Sequence, residues 1–142
     1  MRLARLQPLR ECDMPDVLVE VRGAWLGSQK SRFLEAIRAA MVEALQTPKD
    51  DKVLRLTEHK AEQFAIPQSA GDKYTHIELT MFVGRSLAAK RALYKAIVRN
   101  LEPFGVPPND VKMILIEVSP ENVGMRGGNA SCDLDLGYKV QV

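Results

Sequence analysis

The sequence has few cysteines, little net charge and no long apolar run, and each of these absences excludes a class of protein. Cys12 and Cys132 are too few for a disulfide framework or a cysteine-based zinc site. No segment approaches the roughly 20 apolar residues that cross a bilayer. The formal net charge of +2, without a dense run of Lys and Arg, argues against nucleic-acid binding. We therefore expect neither a membrane nor a nucleic acid as a partner.

What remains is the composition of one globular domain. The 142 residues are 46% hydrophobic and 27% charged, which suffices to bury a real core. Arg2 and Arg5 near the amino terminus are not followed by the continuous apolar stretch of a secretory signal. We therefore expect a cytoplasmic protein with reduced thiols.

The chain contains the same order of elements twice. In the first copy, residues 16–21 have the β-rich composition of a strand, 28–45 form an amphipathic helix and 53–57 a second strand. The apolar face of this helix repeats every four residues, at Phe33, Ile37, Met41 and Leu45. Ser28 is a plausible N-cap, and Thr47-Pro48 ends the helix because proline cannot continue it.

The second copy follows about sixty residues later. Residues 75–83 predict a strand, Ser86 caps a helix, Gly105 is placed to end it with a left-handed residue, and 111–118 form a long apolar strand. The apolar face of the second helix consists of Leu93, Ile97, Leu101 and Phe104. The two helices also share similar segments at 33–37 and 93–97.

Two tandem βαβ units predict an α+β fold, in which a four-stranded sheet carries both helices on one face. The other face would be bare, and neighbouring subunits are the cheapest cover for its apolar residues. The tail from Glu121 contains Gly124, Gly127 and Gly128 and predicts a hairpin or an exchanged edge strand.

Several short motifs occur in a characteristic order. Met14-Pro15 opens the first strand, and it is followed by Pro48 to Asp51, Thr57-Glu58-His59, Gly84-Arg85-Ser86, and Glu121-Asn122 through Met125-Arg126-Gly127-Gly128. With these motifs the chain resembles the tautomerase superfamily, and most of all the long bacterial group that includes malonate semialdehyde decarboxylase. The likeness covers residues 14–142. It implies a tautomerase-like domain at 15–142 behind an amino-terminal extension of residues 1–14, and a homotrimer that uses no cofactor and no metal.

The resemblance implies that Pro15 is the catalyst, as an amino-terminal proline exposed by removal of Met14. A free proline nitrogen is a secondary amine, and an apolar pocket with nearby cations lowers its pKa below the roughly 8 of an ordinary α-amine. It could then act as general base and, once protonated, as general acid. As written, thirteen residues precede Met14, and an internal proline is an amide without a basic lone pair. Two alternatives stay open: translation begins at Met14, or the extension is real and the protein is silent or altered.

The resemblance also assigns the remaining site residues. Arg85 would bind the substrate carboxylate through its guanidinium fork, although a solvated charge beside the helix is the alternative. Arg126 could supply a second cation, or be a solvated tail residue. Asp51 would handle water, although a structural role in its turn is equally open. Val123 and Met125 replace the tail aromatics of the decarboxylase and would form an apolar pocket wall.

The leading interpretation is a tautomerase that transfers a proton on a small 2-oxo or enol carboxylic acid. The alternatives are a decarboxylase or hydratase of a small 3-oxo acid, and a catalytically silent trimer in which Pro15 is not amino-terminal. His59 is expected to be structural and to bind a backbone carbonyl. His76 has no clustered Cys, His or Asp at ligand spacing, so the sequence predicts no metal site.

Overall fold

Two βαβ units form one mixed four-stranded sheet, as the sequence predicts. The computed structural model describes residues 15–49 and 52–134. The elements in chain order are β1 (Asp16–Arg22), α1 (Lys30–Leu45), β2 (Val53–His59), β3 (Thr75–Phe82), α2 (Leu87–Leu101), β4 (Val111–Val118) and a hairpin of β5 (Gly124–Met125) and β6 (Asn129–Ala130). The α+β prediction is confirmed, and the tail forms a hairpin.

The strand order of the sheet is β2-β1-β3-β4. β1 is parallel to β2, β3 is parallel to β4, and the two central strands β1 and β3 are antiparallel. Asp16, at the start of β1, therefore lies opposite Val53 at the start of β2 and Thr80 near the end of β3. Phe82, at the end of β3, lies opposite Val118. We call this edge, where β1 and β2 begin and β3 and β4 end, the proline end of the sheet.

The core lies between the sheet and the two helices. Alternate residues of β1, namely Val17, Val19 and Val21, are fully buried against the helices. The predicted helix faces are confirmed at seven positions that are all 0% exposed, namely Phe33, Ile37, Met41, Leu45, Leu93, Ile97 and Leu101. Phe104 is the exception, because it lies in a 3-10 turn beyond the end of α2 and is half-buried. A spacing of four residues keeps these side chains on one side of a helix with 3.6 residues per turn. Burying each large side chain contributes about 1.5–3 kcal/mol to folding.

The two helices begin differently. The predicted cap of α2 is confirmed, since the Ser86 hydroxyl accepts a hydrogen bond from the Ala89 N–H at 3.1 Å. The predicted cap at Ser28 is wrong, because a 3-10 turn at Gly27–Gln29 precedes α1, which begins at Lys30 without a side-chain cap. In that turn the Gly27 and Gln29 N–H groups donate to the carbonyls of Ala24 and Leu26.

The second face of the sheet is the open face, formed by the strand residues that alternate with the core residues. In the described part of the chain no helix covers it, and its outer strands expose Val53, Ile114 and Ile116 by 37%, 39% and 41%. The bare apolar face expected from the sequence is therefore present. No helix within residues 15–49 and 52–134 is long and apolar enough to span a membrane.

Candidate active site

Pro15 is buried and lies directly before β1, at the proline end. Its carbonyl accepts a hydrogen bond from the Val53 N–H at 3.2 Å, which ties it to the first residue of β2. The antiparallel register continues from the Asp16–Thr80 pair, so Pro15 lies level with Met81 on β3. The sequence-predicted catalyst therefore sits next to the end of the neighbouring central strand.

Arg85 lies three residues beyond the end of β3 rather than in the strand itself. Gly84 has a φ of 126°, a conformation that favours glycine, and this turns the chain out of the strand. Ser86 then caps α2, so the backbone of Arg85 is fixed by the Gly84 turn on one side and by the start of α2 on the other. Its side chain is only 6% exposed, and its Nη1 donates to the Phe82 carbonyl at 3.3 Å. The alternative of a solvated charge is therefore wrong.

A small apolar cluster lies at the same end, separate from the main core. It is built around Phe82 and Met125, which are 0% and 7% exposed, with Val118, Val123 and Leu134 packed against them. The sequence-predicted pocket residues Val123 and Met125 are thus brought together. Sequence reasoning missed Phe82 and Val118, although their position at the carboxyl ends of adjacent parallel strands was a signal that could have placed them here.

The hairpin after β4 positions Arg126 directly after Met125. Arg126 has a φ of 50°, and the two glycines that follow it, Gly127 and Gly128, have φ values of 88°. The turn is fixed because the Asn129 side-chain amide donates to the Arg126 carbonyl at 2.8 Å. Arg126 is half-buried.

Asp51 lies outside the described residues, and only its repeat counterpart can be placed. Asp110 is 6% exposed, and its Oδ2 accepts a hydrogen bond from the Gly71 N–H at 3.0 Å. This bond joins the turn before β4 to the loop before β3, at the end of the sheet opposite to Pro15. The counterpart carboxylate is therefore structural.

The two histidines lie on the open face and differ from expectation. His59 Nε2 is 2.6 Å from Glu20 Oε2, so its partner is a carboxylate and the predicted backbone carbonyl is wrong. His76 lies opposite Glu20 on the neighbouring strand and two residues before Glu78. Within residues 15–49 and 52–134, Glu20, His76 and Glu78 form a group whose ligand atoms are close enough to hold a metal ion. The sequence-based prediction of no metal site considered only Cys, His and Asp and did not weigh these two glutamates.

Comparison with known proteins adds a family and a fold. A family model described as "Tautomerase enzyme" matches residues 51–126, a little over half of the chain. The chain is similar to a malonate semialdehyde decarboxylase inhibited by 3-bromopropiolate, with 23% identity, a TM-score of 0.75, and coverage of 82% of this chain and 92% of that one. It is also similar to a fused 4-OT solved as a symmetric trimer, with 20% identity, a TM-score of 0.77, and coverage of 84% and 100%. At these identities the structural likeness establishes the fold alone.

Proposed function

Because the chain belongs to the tautomerase enzyme family, we propose that it transfers a proton between carbon and oxygen positions of a small 2-oxo or enol carboxylic acid. One observation carries this proposal. The antiparallel pairing of β1 with β3 brings buried Pro15 to the same end of the sheet as buried Arg85. A base and a carboxylate-binding cation are the two groups that this reaction requires.

The proposal requires a free nitrogen on Pro15. We propose that the functional chain begins there, after translation from Met14 and removal of that methionine, so that residues 15–142 are the domain. The Val53 N–H holds the Pro15 carbonyl, which fixes the residue while its nitrogen stays at the proline end. Burial disfavours the protonated amine, as does positive charge at the same end of the sheet, so the nitrogen can keep a lone pair near neutral pH.

In the proposed reaction, the Arg85 guanidinium donates two parallel hydrogen bonds to the substrate carboxylate. The Pro15 nitrogen removes the hydroxyl proton of the enol, and the electron pair of the O–H bond becomes part of the new carbonyl. The electron pair of the C=C bond then takes a proton from the protonated Pro15, at the carbon that did not carry the hydroxyl group. This step yields the 2-oxo acid and regenerates the free amine. Val123 and Met125 pack against the apolar part of the substrate, and Arg126 adds positive charge beside the carboxylate.

A homotrimer is part of the same proposal. The exposed Ile114 and Ile116 give the open face an apolar edge that a second copy of the chain would cover, and a similar fused 4-OT was solved as a symmetric trimer. Changing Ile116 to Lys should lower the mass of the particle in light scattering, whereas the same change at the exposed helix residue Leu87 should not.

We place the protein in the cytoplasm, where the exposed and unpaired Cys132 stays reduced.

A second candidate is decarboxylation or hydration of a small 3-oxo acid, with Asp51 positioning water. The repeat points the other way, because the counterpart Asp110 accepts a hydrogen bond from the Gly71 N–H and has a structural role, so this candidate depends on Asp51 itself. Asp51→Asn should then abolish the water-dependent reaction and leave proton transfer unchanged.

The test compares a chain that begins at Pro15 with the 142-residue chain, using the ketonisation of phenylenolpyruvate followed by ultraviolet absorbance. We expect activity from the Pro15 chain only, and a loss of at least about 100-fold in kcat for Pro15→Ala. Pro67→Ala, in an exposed loop, is the matched control and should be fully active.

Equal activity of the two chains, or an active Pro15→Ala variant, would contradict the mechanism. Inactivity of both chains on enol and 3-oxo acids would favour a silent trimer. The mass and amino-terminal sequence of protein made from its native gene settle which chain exists in the cell.

A further inference from the structure

Three potential metal ligands meet in the middle of the open face. Glu20 on β1 is the register partner of His76 on β3, and Glu78 lies two residues further along β3 on the same face. One ligand atom from each of the three lies within 4.8 Å of the other two, and all three residues are half-buried. We propose that Glu20, His76 and Glu78 bind a divalent transition-metal ion of the Zn²⁺ class.

The distances suit such an ion. Ligand bonds of about 2.1 Å in a tetrahedral arrangement place neighbouring ligand atoms about 3.4 Å apart. His76 Nε2 and Glu78 Oε1 are 3.5 Å apart, so these two ligands already have the required separation. Glu20 completes the group from the neighbouring strand, where it is the register partner of His76 and its ligand atom lies within 4.8 Å of the other two. One imidazole with two carboxylates leaves a fourth position for water.

A further residue orients the third ligand. His59 on β2 approaches Glu20 Oε2 at 2.6 Å, so one carboxylate oxygen has a protein partner and the other is left for the ion. Hydrogen bonding of a ligating carboxylate by an outer residue is a general feature of metal sites. The four residues lie on three adjacent strands of one sheet, so their backbones form a rigid frame.

The surrounding charges also favour a cation. Arg22 and Arg55, the nearby arginines of the open face, contact Asp72 and Asp16 respectively. Lys112 differs from these arginines, because it lies opposite His76 on β4 and is exposed. A positive charge on this neighbouring strand disfavours a bound cation, so replacing Lys112 provides a test of the site.

The site is independent of the proposed reaction. Glu20 is five residues along β1 from Pro15, which corresponds to about 16 Å at the rise of a strand. An ion here would connect the two central antiparallel strands, β1 and β3, and would stabilise the fold without contacting the proline end. Failure of the metal proposal therefore leaves the proton-transfer proposal unaffected.

The test is calorimetric titration of ZnCl₂ into the complete chain after treatment with a chelator. We expect one ion per chain, and at least about tenfold weaker binding for His76→Gln and for Glu78→Gln. Glu117→Gln removes the same charge from β4 at a residue that pairs with Lys90 of α2, and it should bind as the parent does. Lys112→Ala should bind more tightly, because it removes a competing charge and keeps every ligand.

Circular dichroism establishes that each variant is folded, and Lys112→Ala provides a test even if a ligand variant fails to fold. A Co²⁺ complex with visible absorption that disappears in His76→Gln would support the site. The absence of Zn²⁺ binding, equal affinity in parent and His76→Gln, or loss of binding on Cys132→Ser would overturn it.

Discussion

Replacement of Arg85 by Lys and by Met tests how the substrate carboxylate is bound. Arg85 is 6% exposed and held between the Gly84 turn and the start of α2, and a guanidinium can donate two parallel hydrogen bonds to a carboxylate. A hydrogen bond to a charged group contributes about 1.5–3 kcal/mol. Lys keeps the charge but forms one such bond, so kcat/KM should fall about 10- to 150-fold. Met removes both bonds, and the loss should reach about 10²- to 10⁴-fold.

The assay is the ketonisation of phenylenolpyruvate by the chain that begins at Pro15. Its methyl ester lacks the carboxylate, so parent and Arg85→Met should act on the ester at similar rates. Arg85 also donates to the Phe82 carbonyl, and its loss should lower the free energy of unfolding by about 1 kcal/mol. Urea unfolding separates that effect from catalysis, and Arg91→Met on the exposed side of α2 is the control. An Arg85→Met variant with unchanged kcat/KM for the acid would refute the assignment.

Three further changes test the fold by urea unfolding. Ser86→Ala removes the hydroxyl that binds the Ala89 N–H and should cost about 1 kcal/mol; no loss would mean that water replaces the cap. Ile97→Ala opens a cavity at a fully buried position and should cost about 2–5 kcal/mol, whereas a smaller loss would indicate that the core collapses around it. Asp110→Ala leaves the Gly71 N–H without its partner and should cost about 1–3 kcal/mol, and Asp110→Asn less; equal losses would contradict a role for the retained side-chain oxygen.

The elements that could be predicted from the sequence are those whose pattern is local. β4 has the predicted bounds at 111–118 because an apolar run between a Pro-rich turn and a polar tail has two clear ends. Ser86 and Ser28 had similar sequence signals for a helix cap, yet only Ser86 is one. The difference arises from the 3-10 turn at Gly27–Gln29, whose backbone bonds cannot be foreseen from residue type.

The functional surfaces were harder to predict because they depend on strand pairing. Pro15 and Arg85 were identified through motifs, but the burial of Arg85 follows from the turn at Gly84. Glu20 and His76 lie far apart in the chain and become neighbours only through the antiparallel register of β1 and β3. A search for ligands at fixed spacing along the sequence therefore could not find them.

The repeated architecture gives the sheet two equivalent ends, but a single polypeptide has only one amino terminus. At the second end, Thr75 begins β3 in the middle of the chain, so its nitrogen is always an amide. That end is closed by structural contacts: Asp110 binds Gly71, and Lys73 lies over the Trp25 ring with 5.3 Å between its ammonium nitrogen and the ring centroid. With Pro15 acting as proposed, joining two βαβ units in one chain limits amine chemistry to one centre per protomer and leaves the residues of the duplicate end to serve folding alone.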